Sequence, residues 1–296
     1  MTDPNPTVSV IGVGRMGGAM AATLSKAGHS LVLWNRDPAK AEKVAADTGA
    51  SVAASAAEAA SRSPVVISSL ADDAAVENVY LGTDGVVAGI GTGQVAVETS
   101  TIAPETVHAV GAEVDRTGAG FLDCPVSGSV ATVEAGALTI MAAGDPAQID
   151  EVTPVLEALS SRIVRVGPRG SGAACKLAVN GLVHGLNVAL SEALVLAEKA
   201  GVDRATAYEV FASGAGGAPF VQYKREAYEH PEETPVAFSL DLVAKDLQLI
   251  TGLGKRVGAP MAQAEVDLDI VRSAIAKGLG DHDLSAIAVH LRGEDG

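Results

Sequence analysis

Lys176 and Asn180 are the only side chains able to do strong polar work in the run Gly172 to Asn180, which reads Gly-Ala-Ala-Cys-Lys-Leu-Ala-Val-Asn. From Gly170 to Ala200 leucine, valine and alanine recur at helical spacing with no proline, so one long, largely buried helix is expected. On it Lys176, Asn180 and His184 fall at i, i+4 and i+8 and form one polar stripe. Burial penalises the charged form of a lysine unless it is paired. The stretch alone allows two readings of Lys176: an amine that snorkels to solvent along an apolar stem, or a general acid in a cleft.

The elements that would position this stripe begin with a β-branched run, Thr7 to Ile11, that leads into Gly12, Val13, Gly14, Arg15, Met16 and Gly17 and then a helical stretch, Met20 to Ala27. Strand, Gly-x-Gly-x-x-Gly and helix in that order is the context of a dinucleotide site. Gly12 would allow the tight turn, Gly14 the approach of backbone to a pyrophosphate, and Gly17 close packing of helix on strand; the helix N-terminus would face the phosphates. The second strand, Ser30 to Trp34, ends in Asn35-Arg36-Asp37. An arginine there can hold the 2'-phosphate of NADP where NAD sites place an acid, so NADP (NADPH) is expected ahead of NAD. Asp37 would repel that phosphate, or it caps the next helix before Pro38.

Helix Ala39 to Asp47, strand Pro64 to Leu70, helix Ala74 to Tyr80, strand Gln94 to Glu98, helix Pro104 to Thr117 and strand Gly120 to Cys124 continue the alternation, which predicts a parallel doubly wound sheet of the α/β class. Ligands on such sheets sit beyond the carboxyl ends of the strands, so Leu70-Ala71, Thr99 to Thr101 and Pro125 to Ser127 should face one crevice. Further strands are expected at Ala137 to Ala143 and Arg162 to Val166, flanking a helix from Pro146 to Leu159. Gly167 to Gly170 is the natural boundary between a nucleotide-binding domain, residues 1–167, and an all-helical substrate and oligomerisation domain, residues 168–296. In the latter, helices are expected at Arg204 to Ser213 and Phe238 to Leu249, with Tyr223 to Pro235 a solvated surface segment.

The 296 residues and 48% hydrophobic content suffice for a sizeable core. No run of 18 uncharged apolar residues occurs, and the opening Met-Thr-Asp-Pro-Asn-Pro lacks the pattern of a secretory signal, so a cytoplasmic protein is expected, with no membrane partner. A net charge of -15 argues against nucleic acid as a partner. Cys124 and Cys175 match no metal-ligand spacing, so no metal is expected.

Four separated motifs carry a resemblance to the β-hydroxyacid dehydrogenase family, which includes 3-hydroxyisobutyrate, tartronate semialdehyde and glyoxylate/succinic semialdehyde reductases. They are Gly12 to Gly17, Asp123 to Leu138, Gly172 to Asn180, and Lys245-Asp246; the resemblance runs from about Val8 to Leu291. It implies a Rossmann domain joined to an all-helical domain by one long helix, in a homodimer or homotetramer. It implies Lys176 as catalytic acid/base, Asn180 orienting the substrate oxygen, Ser127 and Gly128 on the substrate carboxylate, and Thr101 and Lys245 by the nicotinamide. Where many members read Ser-Gly-Gly, this chain reads Ser127-Gly128-Ser129, so the substrate pocket is expected to differ in shape. The glyoxylate/succinic semialdehyde reductase branch looks similar there. His184 matches no fixed family residue and reads as packing or pocket lining.

The expected chemistry is hydride transfer between NADP(H) and a small carboxylate-bearing carbonyl or hydroxy acid, with Lys176 stabilising the oxygen as negative charge grows. Imine reductases share the architecture but are expected to carry aspartate or tyrosine in place of Lys176. A catalytically silent dinucleotide sensor has no physical need for a buried lysine.

Overall fold

A computed structural model describes residues 5–293; Met1 to Pro4, part of the opening read for a secretory signal, and residues 294–296 lie outside the described residues. Two compact units divide the chain, Met1–Lys176 and Leu177–Gly296.

Unit 1 is built on short, valine-rich strands buried on both faces, the pattern of a sheet covered by helices on each side. In chain order its elements are β1 (Val8–Ile11), α1 (Arg15–Lys26), β2 (Leu31–Trp34), α2 (Pro38–Thr48), β3 (Ser51–Val52), α3 (Ala56–Ser61), β4 (Val65–Ser68), α4 (Asp73–Leu81), β5 (Val95–Glu98), α5 (Pro104–Arg116), β6 (Gly120–Asp123), β7 (Val126–Ser127), α6 (Val130–Glu134), β8 (Leu138–Ala143), α7 (Pro146–Glu157) and β9 (Ser160–Gly167). The sheet runs β3-β2-β1-β4-β5-β6-β8-β7, with β9 on β8. The α/β class and the parallel order of β1 to β6 agree with the sequence reading. Beyond β6 the sheet is mixed: β8 runs antiparallel to both β6 and β7. The alternation read from the sequence ends at β6 and gave no direction for these later strands. The segment between β6 and β8 contains only the two-residue β7 and five-residue α6, too little for the crossover that a parallel return requires.

α1 begins at Arg15, directly after Gly14, five residues earlier than the apolar pattern indicated, because the first turn of the helix lies inside the glycine fingerprint. Asp37, Ser55, Asp72 and Asp145 cap α2, α3, α4 and α7 through their side-chain oxygens.

At the carboxyl edge of the parallel strands Ser68, Glu98 and Asp123 stand side by side in register. All three are buried. Glu98 accepts hydrogen bonds from Ser68 Oγ at 2.6 Å and from the Ser100 N–H at 2.6 Å, and the Ser68 hydroxyl also meets Tyr80. Burial pushes the Glu98 carboxyl up to about 7 and that of Asp123 up to about 6, although hydrogen bonds to each oppose the rise.

The long helix α8 (Ser171–Lys199) carries unit 1 into unit 2 without a break. It is not largely buried: Leu182 and Leu196 are 76% and 72% exposed. The apolar spacing continues around more of the helix than one core can cover. Unit 2 continues with α9 (Arg204–Ser213), α10 (Pro219–Tyr223), α11 (Arg225–Glu229), α12 (Leu240–Val257), α13 (Ala262–Ala274), a π-helical turn at Ile275–Leu279 and α14 (Ala286–Arg292), around a core that includes Leu177, Leu194, Tyr208, Leu247 and Ile287. Tyr223 to Pro235 is not simply a solvated segment, because Lys224, Ala227 and Tyr228 are buried. The Lys224 ammonium donates to both oxygens of buried Asp283 at 2.7 and 2.8 Å, and the N–H groups of Ala237, Phe238 and Ser285 complete the carboxylate's shell. Burial alone would raise the Asp283 carboxyl; the Lys224 charge and these donors hold it below its ordinary value.

Raised carboxyls in the fold mean that the native chain binds more protons than the unfolded one across the intervening pH, so their contribution is complete below the unfolded carboxylate range and is lost as pH climbs through about 6 and 7. Thermal melts should therefore show stability falling between pH 5 and pH 8. Glu98→Gln should flatten that slope and gain about 2 kcal/mol over the parent at pH 8, with little gain at pH 5. An unchanged slope in the variant would show that Glu98 is not the group responsible.

Candidate active site

Gly12 turns with φ +86°, and a Cβ there would lie 2.4 Å from the Ser69 carbonyl oxygen. A Cβ on Gly17 would lie 1.9 Å from the Gly12 carbonyl oxygen, so helix and loop touch through backbone alone. Gly14 has nothing within 4 Å of its would-be Cβ, and α1 begins on it with no side-chain cap for its first N–H groups. Sterics thus divide the three glycines into turn, open approach and packing contact. That open cradle fits the diphosphate of a dinucleotide.

Around the cradle, Val13 is buried, Met16 packs on the core of unit 1, and Arg15 is exposed. The Val13 N–H donates to Asn35 Oδ1 at 3.1 Å and Asn35 Nδ2 donates to the Asp37 carbonyl at 3.0 Å, so Asn35 ties the glycine loop to the end of β2. Asp37 spends its carboxylate on the Ala39 N–H as the cap of α2. Arg36 is exposed between them. The Leu70 N–H donates to Ser100 Oγ at 2.8 Å, which joins the loops after β4 and β5, and Thr101 follows in the second of these.

The turn after β7 is fixed from its far side. Gly128 has φ +144°, and a Cβ there would strike Thr132 and Leu138 side chains at 2.8 and 2.7 Å. Ser129 caps α6 in a reciprocal box: its N–H donates to Thr132 Oγ1 at 3.1 Å and its Oγ accepts from the Thr132 N–H at 3.4 Å. Ser127 is half-buried beside it on β7.

α8 starts on a buried acid. Asp123 Oδ2 accepts from the Gly170 N–H at 3.1 Å and the Ala173 N–H at 2.9 Å, an anion set on the positive end of a 29-residue helix. One turn further along stands half-buried Lys176, and one turn beyond it Asn180. Asn180 Nδ2 donates to Asp246 Oδ2 at 2.6 Å, His184 Nε2 lies 3.5 Å from the same oxygen, and Lys245 Nζ lies 2.8 Å from Asp246 Oδ1. Asp246 is fully buried, and burial alone would raise its carboxyl. The His184 contact and the Lys245 charge hold it below the ordinary range. Asn180, His184 and Lys245 are therefore brought together on one carboxylate. His184 also stacks on the Phe238 ring, centroids 6.0 Å apart.

Sequence reasoning named the Asp123 and Asp246 motifs but missed what those carboxylates hold. The available signal for Asp123 was the pair Gly170 and Gly172, which let a side chain reach the helix end: a Cβ on Gly172 would lie 2.8 Å from that carboxylate. Phe238, which stacks on His184, carried no local signal.

Residues 7–167 match the family described as the NAD binding domain of 6-phosphogluconate dehydrogenase, and residues 170–291 that described as the NAD-binding domain of NADP-dependent 3-hydroxyisobutyrate dehydrogenase. Glyoxylate/succinic semialdehyde reductase 1 of Arabidopsis thaliana is 34% identical, over 95% of this chain and 96% of its own. An NAD-dependent L-serine dehydrogenase of Pseudomonas aeruginosa is 31% identical, over 95% and 96%. Among solved structures, 3-hydroxyisobutyrate dehydrogenase of Mycobacterium tuberculosis with L-serine superposes with a TM-score of 0.85 at 29% identity, covering 98% of this chain and 100% of that one.

The glycines give a paired expectation. Gly17→Ala should cost about 2 kcal/mol or more of stability through overpacking, whereas Gly14→Ala should melt within about 0.5 kcal/mol of the parent. Both should weaken nucleotide binding about tenfold or more, read by fluorescence of Trp34, the chain's single tryptophan. Full nucleotide affinity in Gly14→Ala would show that the open face of the loop is not the diphosphate cradle.

Proposed function

The chain belongs to the β-hydroxyacid dehydrogenase family, an NAD(P)-binding oxidoreductase of hydroxy acids and semialdehydes, and on that premise we propose that it reduces a small semialdehyde or keto acid with NADPH, Lys176 acting as the acid. The observation that carries this reading is the pairing on one continuous helix of a half-buried lysine with an asparagine whose amide is fixed by a buried carboxylate.

When bound, the nicotinamide supplies or accepts the hydride. Lys176 Nζ donates a proton to the carbonyl oxygen as negative charge grows there, and takes it back from the hydroxyl in the oxidative direction. Because an ionised Asp246 only accepts, the NH2 edge of Asn180 faces it, and Asn180 Oδ1 is left to accept from the substrate hydroxyl. Ser127 and the Gly128 N–H hold the substrate carboxylate, while Thr101 and Lys245 flank the reacting end. Gly12 to Gly17 receive the diphosphate.

Arg36 supports the choice of NADP: it is exposed at the end of β2, and the carboxylate beside it is engaged in a helix cap rather than open to repel a phosphate. A cytoplasmic setting suits the two free cysteines. Exposed Leu182 and Leu196 on α8 support a homodimer or homotetramer. Among substrates, the names of the relatives point to glyoxylate, succinic semialdehyde and 3-hydroxyisobutyrate-like acids.

Consumption of NADPH and NADH against glyoxylate, succinic semialdehyde, methylmalonate semialdehyde, tartronate semialdehyde and one cyclic imine tests the reading, with fastest turnover expected for NADPH and a semialdehyde acid. Lys176→Ala should lose about 10²- to 10⁴-fold in kcat with nucleotide binding intact. Arg36→Ala should raise the KM for NADPH about tenfold and leave that for NADH unchanged. Turnover of the imine alone, or near-full activity in Lys176→Ala, would overturn the assignment.

A further inference from the structure

The loops that follow β4 and β5 are tied together by side chains, and the tie runs back to one buried acid. Glu98 closes β5, and its Oε1 accepts from the Ser100 N–H at 2.6 Å. Ser100 is buried too, and its Oγ accepts from the Leu70 N–H at 2.8 Å, so the loop after β5 holds the loop after β4. The same hydroxyl bonds the Glu98 carboxyl, which takes its proton and leaves its lone pairs for Leu70. Leu70 in turn backs the glycine turn. A Cβ on Gly12 would lie 2.8 Å from Leu70 Cδ2 and 2.4 Å from the Ser69 carbonyl oxygen, and the Ser69 N–H donates to the Ile11 carbonyl at 2.9 Å. A second tie joins the same two segments further along the chain, where Asp73 Oδ1 accepts from the Ala103 N–H at 2.8 Å and from Thr106 Oγ1 at 2.6 Å. Thr101 lies in the sequence between the two ties, so its backbone is held on both sides.

We propose that Ser100 is a positioning residue for the bound nucleotide: anchored by Glu98, it fixes the Leu70 N–H and so sets the spacing of the two loops that receive the nicotinamide half. This rests on the reading that Leu70 and Thr101 flank that half. Ser100 itself touches neither nucleotide nor substrate. The loops stand beyond the carboxyl ends of β4 and β5, where a doubly wound sheet takes its ligand, so slack between them is felt as lost binding. An alanine at position 100 cannot accept, which leaves the Leu70 N–H without its acceptor and the β4 loop free to shift against Gly12. Arg36 follows β2, with β1 between it and β4, so the loss falls equally on NADPH and NADH. The coupling is reciprocal: if opening the Leu70 bond weakens nucleotide binding, bound nucleotide makes that bond harder to open by the same factor.

Two arms test this, and neither needs a substrate. In the first, Trp34 fluorescence should show the dissociation constants of NADPH and NADH rising together by about tenfold in Ser100→Ala, with their ratio unchanged. Ser63→Ala is the control. Ser63 is buried and its hydroxyl meets Ser9 Oγ at 2.8 Å, but it precedes β4 at the amino edge of the sheet, so its melting temperature should fall while nucleotide affinity stays within about twofold. Parental affinity in Ser100→Ala, or an equal loss in Ser63→Ala, would overturn the proposal. The second arm uses the parent protein and so does not depend on Ser100→Ala folding. Saturating NADPH should slow hydrogen exchange of the Leu70 amide about tenfold, while the Gly91 amide, bonded to Gln94 Oε1 at 2.8 Å ahead of β5, changes by less than about twofold. Exchange at Leu70 that ignores NADPH, or that slows only as much as at Gly91, would also overturn it. Thr101→Val reads the underlying assignment separately: it should weaken both nucleotides, and parental affinity in it would sink the placement of Thr101 while the Ser100 result stands.

Discussion

A carboxylate sealed from water has to be satisfied by protein alone, and most of what positions the reactive stretch of α8 follows from that constraint. Asp123 answers it with the N–H groups that open α8, where four donors are orphaned in any case, so that one cost offsets another. Asp246 answers it with the Asn180 amide, the Lys245 ammonium and the His184 ring. Asp283 answers it with Lys224 and three backbone donors, which draw the segment ahead of α12 inward and so place Phe238. These three acids behave differently on titration because their partners differ in charge. At Asp246 and Asp283 a lysine ammonium beside the carboxyl helps to keep it ionised; at Glu98 the hydrogen-bond donors, and at Asp123 the donors together with the Arg169 charge, do not outweigh burial, and the proton is retained longer.

The glycine fingerprint works by exclusion. Gly12 and Gly17 are held by contacts that no side chain could enter, while Gly14 opens on empty space. Only the last of these is an argument for a ligand. The others would be needed by any chain that packed this helix so close to this strand. Asn35 then extends the rigid frame from the loop to β2, so that Arg36 is presented from a fixed point while its own side chain stays exposed.

How much of this was legible in the sequence divides by length scale. Periodicity exposed the long elements, since Val-rich strands and the α8 run repeat their pattern several times over. It did not show β3, β7 or α6, whose two to five residues cover no more than about one and a half periods, and it missed α13, whose core face mixes Ala264, Asp267, Leu268 and Val271. The charged stretch from Tyr223 onward was misjudged for the same reason that Asp267 was overlooked. A buried charge looks like a surface charge until its partner is known, and Lys224 and Asp283 are 59 residues apart. Lys176, Asn180 and His184 fell on one stripe by counting alone, whereas the carboxylate that receives Asn180 and His184 comes from another helix.

The departure at Ser129 shows how a packing detail bears on recognition. A glycine there could not complete the capping box that Ser129 makes with Thr132, so serine stabilises the first turn of α6 in its own right. The Ser129 N–H donates to Thr132 Oγ1, and the Ser129 hydroxyl meets both the Thr132 N–H and, at 3.1 Å, the Thr132 hydroxyl, so the box turns this side chain toward α6. Gly128 cannot move to compensate, because its positive φ and its contacts with Thr132 and Leu138 fix the turn. The carboxylate site proposed at Ser127 and the Gly128 N–H therefore rests on a turn stiffer than one closed by two glycines. Stiffness of this kind favours a ligand that matches the preset geometry over one that must induce it.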